Sequence, residues 1–279
     1  MPPSDKEQLK KAIQAVIAAM MERKLRRIFE EDPFDAEEHR LTKPLYAALV
    51  PMEIFKGSHF ERRFVTSFGS VWEDLALVAA KSALGFSEKG YKITGVVKQE
   101  RLRRIAEILN RLEFASKGKA RARPDWDTEL SYILAGGGPD VAVSVICDVF
   151  AKNTTTNERF AFEVKAPLPN SDQTKVSKEK MLKLYAMEPC QIDGAYYALP
   201  YKPYGKREDY AWSFPARWFN MRKDAVVLIG DDFWEKIGGP GTYKTFVDAV
   251  NEMGEMYRDR IYREYLGIEP PASAASQQL

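Results

Sequence analysis

Histidine and cysteine are scarce in this chain, which has two of each: His39, His59, Cys147 and Cys190. Two separated histidines are a thin supply for a histidine-based nuclease or a Ser-His-Asp hydrolase, and each reads as a surface or internally satisfied residue. The cysteines lie far apart with no CxxC pair, so the usual zinc spacing is missing. A chain that needs no cysteine staple fits a reducing cytoplasm. A Walker loop is absent too: Gly238-Gly239-Pro240-Gly241 lacks the lysine and reads as a turn before a helix. No apolar run approaches the ~20 residues of a bilayer span. The short stretch Ala15 to Met21 runs into Glu22-Arg23-Lys24 where a cleavage site would need small residues, which argues against a signal peptide.

Charge of one sign is also lacking. The net charge of +2 is close to neutral, although charged residues make up 29% of the chain, so bulk charge does not announce nucleic acid. Its distribution says more. Arg101, Arg103, Arg104, Arg111, Lys117, Lys119, Arg121 and Arg123 crowd one stretch against Glu107 and Glu113. A second cluster holds Lys175, Lys178, Lys180 and Lys183, relieved by Glu179. Such patches neutralise phosphates, or else they are solvated helix faces.

Apolar periodicity predicts a helix over residues 5–31, where Leu9, Ile13, Val16, Ile17 and Met20 recur at three and four. Further helices are expected over Val71–Leu84 and Gln99–Phe114, with a loop from Lys117 to Asp127. The period then changes. Residues 141–148 read as a strand, 153–157 as turn chemistry, and Phe160, Phe162 and Val164 as a second strand antiparallel to the first. A helix over Lys175–Met187 follows, then strands at Gly194–Leu199 and Ala225–Ile229. The latter is apolar on both faces and is therefore expected at the sheet centre. A last helix spans about Tyr243–Tyr265. The resulting class is α/β (α+β), a central mixed sheet flanked by helices with a helical N-terminal region. Expected divisions are 1–125 (mainly helical), 126–268 (core) and 269–279 (disordered tail).

One constellation carries chemistry. Pro139-Asp140 is followed, after 22 residues, by Glu163-Val164-Lys165. Asp140 opens one predicted strand and Glu163 lies near the end of the other, so an antiparallel pairing puts them at the same end of the sheet. Glu163 and Lys165 share a face. The turn at 153–157 would set Asp140 nearer Asn170, so a bend is required. Given that bend, two carboxylates and an ammonium converge, which suits phosphodiester hydrolysis. Asp140, Glu163 and the Val164 carbonyl would hold Mg²⁺, a cation of hard oxygen ligands. Lys165 would orient or help deprotonate the water and offset transition-state charge. A second Pro-Asp, Pro124-Asp125, has no β alternation after it.

The run Phe162-Glu163-Val164-Lys165-Ala166-Pro167 and the following Asn170-Ser171-Asp172-Gln173-Thr174-Lys175-Val176-Ser177-Lys178-Glu179-Lys180 resemble the TdeIII-type restriction endonucleases. His59 to Glu73 and Trp212 to Tyr243 extend the resemblance over roughly residues 55 to 260. It implies the PD-(D/E)XK nuclease core, a Mg²⁺ requirement and an interrupted palindromic site, GGNCC. A palindrome is most simply read by a two-fold homodimer, and such an enzyme works beside a cognate methyltransferase. Glu73, on a predicted helix, is a candidate extra acid at the metal; the bland reading is a surface acid paired with a lysine. Asn170, Ser171, Asp172, Gln173, Lys175 and Lys178 are candidate contacts to double-stranded DNA, where the bland reading is helix capping by Ser171 or Asp172. Two alternatives stay open: a repair or recombination nuclease of the same fold, and a DNA-binding protein whose acidic pair is structural.

Overall fold

A computed structural model describes residues 3–66, 68–114 and 121–271. Residues 117–120 of the expected loop, and 272–279 of the expected tail, lie outside them. The chain divides into two compact units, one of residues 72–243 and one of residues 2–71 with 244–279.

The second unit opens with α1 (Pro3–Arg26), which buries Leu9, Ile13, Ile17, Met20 and Leu25 and ends in a π-helical turn at Arg27–Glu31. The three-and-four spacing that predicts the helix also supplies its buried stripe. Three helices follow: α2 (Ala36–Thr42), α3 (Pro44–Leu49) and α4 (Met52–Thr66). Asp35 caps α2 by accepting from the amides of Glu37 and Glu38 at 2.8 and 3.0 Å.

The chain passes into the first unit along α5 (Gly69–Leu84), then β1 (Gly85–Lys89), β2 (Lys92–Lys98), α6 (Gln99–Glu113), α7 (Trp126–Leu134), β3 (Asp140–Ile146), β4 (Val149–Asn153), β5 (Arg159–Val164), α8 (Ser171–Ala186), β6 (Gly194–Leu199), β7 (Val227–Ile229) and α9 (Asp231–Gly238). α10 (Thr242–Arg260) closes the order of helices and strands and runs into a second π-helical turn, Ile261–Leu266. Among the described residues one sheet has the order β1-β4-β5-β6-β7, and β2 pairs with β3 in a separate ribbon. β1, β4 and β5 are antiparallel, while β5, β6 and β7 are parallel. The mixed α/β class therefore holds, and the sheet extends N-terminal to residue 126.

Three local expectations change. The run 141–148 is not one strand paired with β5. β3 pairs with β2, Lys98 opposite Asp140 and Lys92 opposite Ile146, and β4 is the strand that lies beside β5. The two antiparallel pairs β2/β3 and β1/β4 form one ribbon bent at Gly90 and Asp148. The Gly90 amide donates to the Asp148 carbonyl at 3.0 Å, and the Cys147 amide to that of Tyr91 at 3.1 Å. Gly90 has a φ of +63°, which a glycine adopts without strain. β7 lies at a sheet edge; its three residues are apolar because they are buried beside β6, with α9 packed against them. Finally, the expected loop gives way at Trp126 to α7, capped by the Asp125 carboxylate on the Thr128 amide at 3.1 Å.

The core of this unit gathers Ile93 and Val97 of β2, Ile105 and Leu109 of α6, Met181 and Leu182 of α8, and Trp218 and Phe219 beyond β6. Tyr197 of β6 stacks on Phe219 with ring centroids 4.9 Å apart. α8 is thereby fixed against the sheet, which determines what its inner face presents to β5.

Candidate active site

The bend at Asp148 builds the site. Val149 is opposite Phe162, so the ladder, continued by one residue, brings Asp148 level with Glu163. Asp148 accepts from the Val164 amide at 3.0 Å, which ties its carboxylate to β5. Lys165, just past β5, donates to the same Asp148 oxygen, lies 3.5 Å from Glu163 and 3.3 Å from the Val164 carbonyl. Lys180 of α8 donates to both Glu163 oxygens at 2.9 Å and is 3.6 Å from Asp148. The Ser177 hydroxyl, one turn back along α8, donates to Glu163 at 3.2 Å.

Glu163 is only 2% exposed. Burial raises its pKa, the like charge of Asp148 adds to that, and the two lysines oppose it. Burial works to lower the pKa of Lys180, but the charges of Glu163 and Asp148 outweigh it and the net direction is up. Two acids and two ammonium groups thus balance in a space largely closed to water, where an unpaired charge would be costly.

Asp140 is not brought there. It is exposed at the start of β3 and pairs with Lys98 at 2.8 Å, roughly 20 Å of extended strand from the bend. Its neighbours serve a helix instead. The Pro139 and Gly137 carbonyls accept from the Gln99 and Glu100 amides and close the N-terminus of α6. The Pro-Asp dipeptide therefore marks a helix cap, and the carboxylate opposite Glu163 belongs to Asp148. Glu163, Val164 and Lys165 do come together as expected. Asp148 and Lys180 are the residues that sequence reasoning missed.

Glu73 lies on α5 and pairs with Lys89 at 3.1 Å; Lys89 is opposite Val149, one residue from Asp148. At the start of α8, Asn170 is the cap, accepting from the Gln173 amide at 2.8 Å. The Ser171 hydroxyl accepts from the Trp218 indole at 3.0 Å, Asp172 and Gln173 are exposed, and Lys175 pairs with Glu113. Lys178, a candidate DNA contact, is instead turned into the interior. Its side chain is 0% exposed, pairs with Glu129 at 2.5 Å and donates to the Trp218 carbonyl. In the Arg101–Arg123 cluster, Arg103 pairs with Glu100 and Glu107, and Arg104 with Glu100 and the Tyr132 carbonyl. Those guanidinium groups are engaged internally.

Among the described residues no three or more His, Cys, Asp or Glu side chains gather as a metal cage, and no helix is long and apolar enough to cross a membrane. The donor set at the bend is all oxygen: Asp148, Glu163 and the Val164 carbonyl. That chemistry fits a small hard divalent ion, which takes one or two carboxylates and leaves other positions to water and phosphate.

Comparison with known proteins bears on the family. The chain is 25% identical over 254 residues to the type II restriction enzyme HgiBI of Herpetosiphon aurantiacus, covering 89% of this chain and 91% of that one. It is 26% identical over 266 residues to HgiCII of the same organism, covering 94% and 96%. The family reading removes both alternatives, the repair nuclease and the non-catalytic DNA-binding protein. Residues 9–254 match the type II restriction endonuclease HinfI family, and the chain belongs to it, a site-specific deoxyribonuclease.

Proposed function

We propose that the chain makes Mg²⁺-dependent double-strand cuts at a short palindrome, with Asp148, Glu163 and Lys165 as its catalytic residues. The observation that carries this is the convergence of these three side chains at the bend in the β-ribbon. Asp148, Glu163 and the Val164 carbonyl would hold the ion, which, when bound, supplies an activated water and neutralises phosphate charge. Lys165 directs its ammonium into the same space; there it orients the attacking water and offsets charge on the non-bridging oxygens. Lys180, bonded to both Glu163 oxygens, opposes the rise that burial imposes on the pKa of that carboxylate. Glu73 stands as an accessory acid, held by Lys89 beside the first residue of β4.

Base contact falls to the exposed Asp172 and Gln173. Asp172 suits the cytosine amino group and Gln173 a base edge, while Asn170 and Ser171 fix the helix start and Lys175 stays near the backbone phosphates. The TdeIII-type likeness of the 162–180 block supplies the proposed site, GGNCC. A two-fold homodimer reads such a palindrome, in the cytoplasm and beside a cognate methyltransferase that protects host DNA.

Digestion of unmethylated phage DNA with Mg²⁺, followed by sequencing of the ends, tests this directly. Discrete fragments sharing one two-fold-symmetric end sequence are expected, and Glu163→Gln should leave the DNA intact. A smear of unrelated ends, or unchanged cutting by that variant, would sink the proposal.

A further inference from the structure

The α2–α3 segment presents a physical problem. Neither helix buries a single residue, and at seven and six residues both are far below the ~12–15 that hold marginally in water alone. Yet this segment carries large apolar side chains. Leu41, Leu45 and Leu49, spaced by four, are 81%, 78% and 82% exposed, with Tyr46 at 65% and Ile54, at the start of α4, at 62%. Together they expose on the order of 600 Å², at the upper limit for the largest apolar patch of a typical monomer and approaching the ~800 Å² per partner of a standard protein interface.

Charge decides what covers it. From residue 35 to 56 the acids are Asp35, Glu37, Glu38 and Glu53 and the bases Arg40, Lys43 and Lys56, a net of 3 − 4 = −1. DNA, a polyanion, gains nothing from such a surface. A second copy does. The acids Asp35, Glu37 and Glu38 open the segment and the bases Arg40 and Lys43 follow them, so an antiparallel two-fold pairing can set each sign against its opposite while the leucines bury one another.

We propose that α2 and α3 form the surface on which a second copy of this chain docks, Leu41, Leu45 and Leu49 being its apolar centre. The inference rests on the homodimer of the proposed function and names the surface that makes it. Sedimentation velocity over about a hundredfold range of protein concentration tests it. The wild type should sediment as a dimer, and Leu41→Glu with Leu45→Glu and Leu49→Glu should weaken association about 100-fold or more, leaving a monomer. Met256, 68% exposed in the same unit, provides the control: Met256→Glu should keep the dimer. So should Glu163→Gln, which separates this surface from the catalytic reading. Because the three leucines are exposed, the triple variant should retain the cooperative unfolding transition. A triple variant that folds and stays dimeric overturns the proposal. So does a wild type that is monomeric throughout, whether or not these leucines then bind anionic vesicles.

Discussion

Asp148, at the bend just before β4, lies level with Glu163 of β5, and its carboxylate accepts a hydrogen bond from the amide that follows Glu163 in the chain, that of Val164. Asp140, by contrast, pairs with the part-buried Lys98 at the far end of β3. Two substitutions of equal chemistry should therefore behave oppositely. Asp148→Asn should cut DNA about 1000-fold more slowly or worse, since it removes a charge from the site proposed for the ion. Asp140→Asn should stay within a few-fold of the wild type. Equal loss in both, measured as single-turnover cleavage of one oligonucleotide duplex, would contradict the assignment.

The register explains why the acid is hidden in the sequence. Glu163, Lys165 and the turn at 153–157 are all legible, and counting back from that turn sets residue 148, not 140, level with Glu163. The Pro-Asp dipeptide draws attention away because Gly136-Gly137-Gly138-Pro139 reads as a strand entrance, whereas its carbonyls cap α6. A bend that moves a strand from one sheet to another leaves little trace in a continuous β-rich run. β7 shows a related limit: apolarity on both faces records burial, and an edge strand packed against α9 is as buried as a central one. Lys180 is beyond reach for another reason. Helical period says which α8 residues share a face, but only tertiary packing says which face meets Glu163.

Lys180 occupies both oxygens of Glu163, so it competes with any cation for that carboxylate. Lys180→Met should lower stability without Mg²⁺ by about 1–3 kcal/mol, as a charged hydrogen bond to a buried acid is lost. Added Mg²⁺ should then raise the melting temperature of the variant more than that of the wild type, because ion binding to the folded state stabilises by mass action. Thermal melts over a Mg²⁺ titration read this without any cleavage assay. Identical Mg²⁺ dependence in the two proteins would remove Lys180 from the site.

The Lys178–Glu129 pair is buried on both sides. Burial pushes the Lys178 pKa down and the Glu129 pKa up, and the attraction between them opposes both shifts. Removing one partner strands the other, so Lys178→Met should cost about 3–5 kcal/mol. Adding Glu129→Leu should recover most of that, since a well-packed apolar pair often matches a buried ion pair. Urea unfolding of the single and double variants gives the comparison. A mild single variant with weakened DNA binding would instead return Lys178 to the DNA surface.

His59 gives the second unit a pH dependence. Its ring nitrogen is 3.2 Å from the Tyr265 hydroxyl and its pKa is lowered, first by burial and then by Arg63, with Asp32 pulling the other way. A histidine with a depressed folded pKa is neutral in the fold while the unfolded chain takes up the proton first. Its contribution is therefore full above the unfolded value of about 6.5 and is lost as pH falls toward the folded value. Every other titratable group is common to the two proteins, so the difference between wild type and His59→Gln isolates this group. Urea unfolding followed by far-UV circular dichroism should show the wild type losing its advantage over His59→Gln below about pH 6.5. A stability difference that stays flat from pH 8 to pH 5 would mean that His59 titrates alike in both states, and that the Tyr265 contact does not shield it.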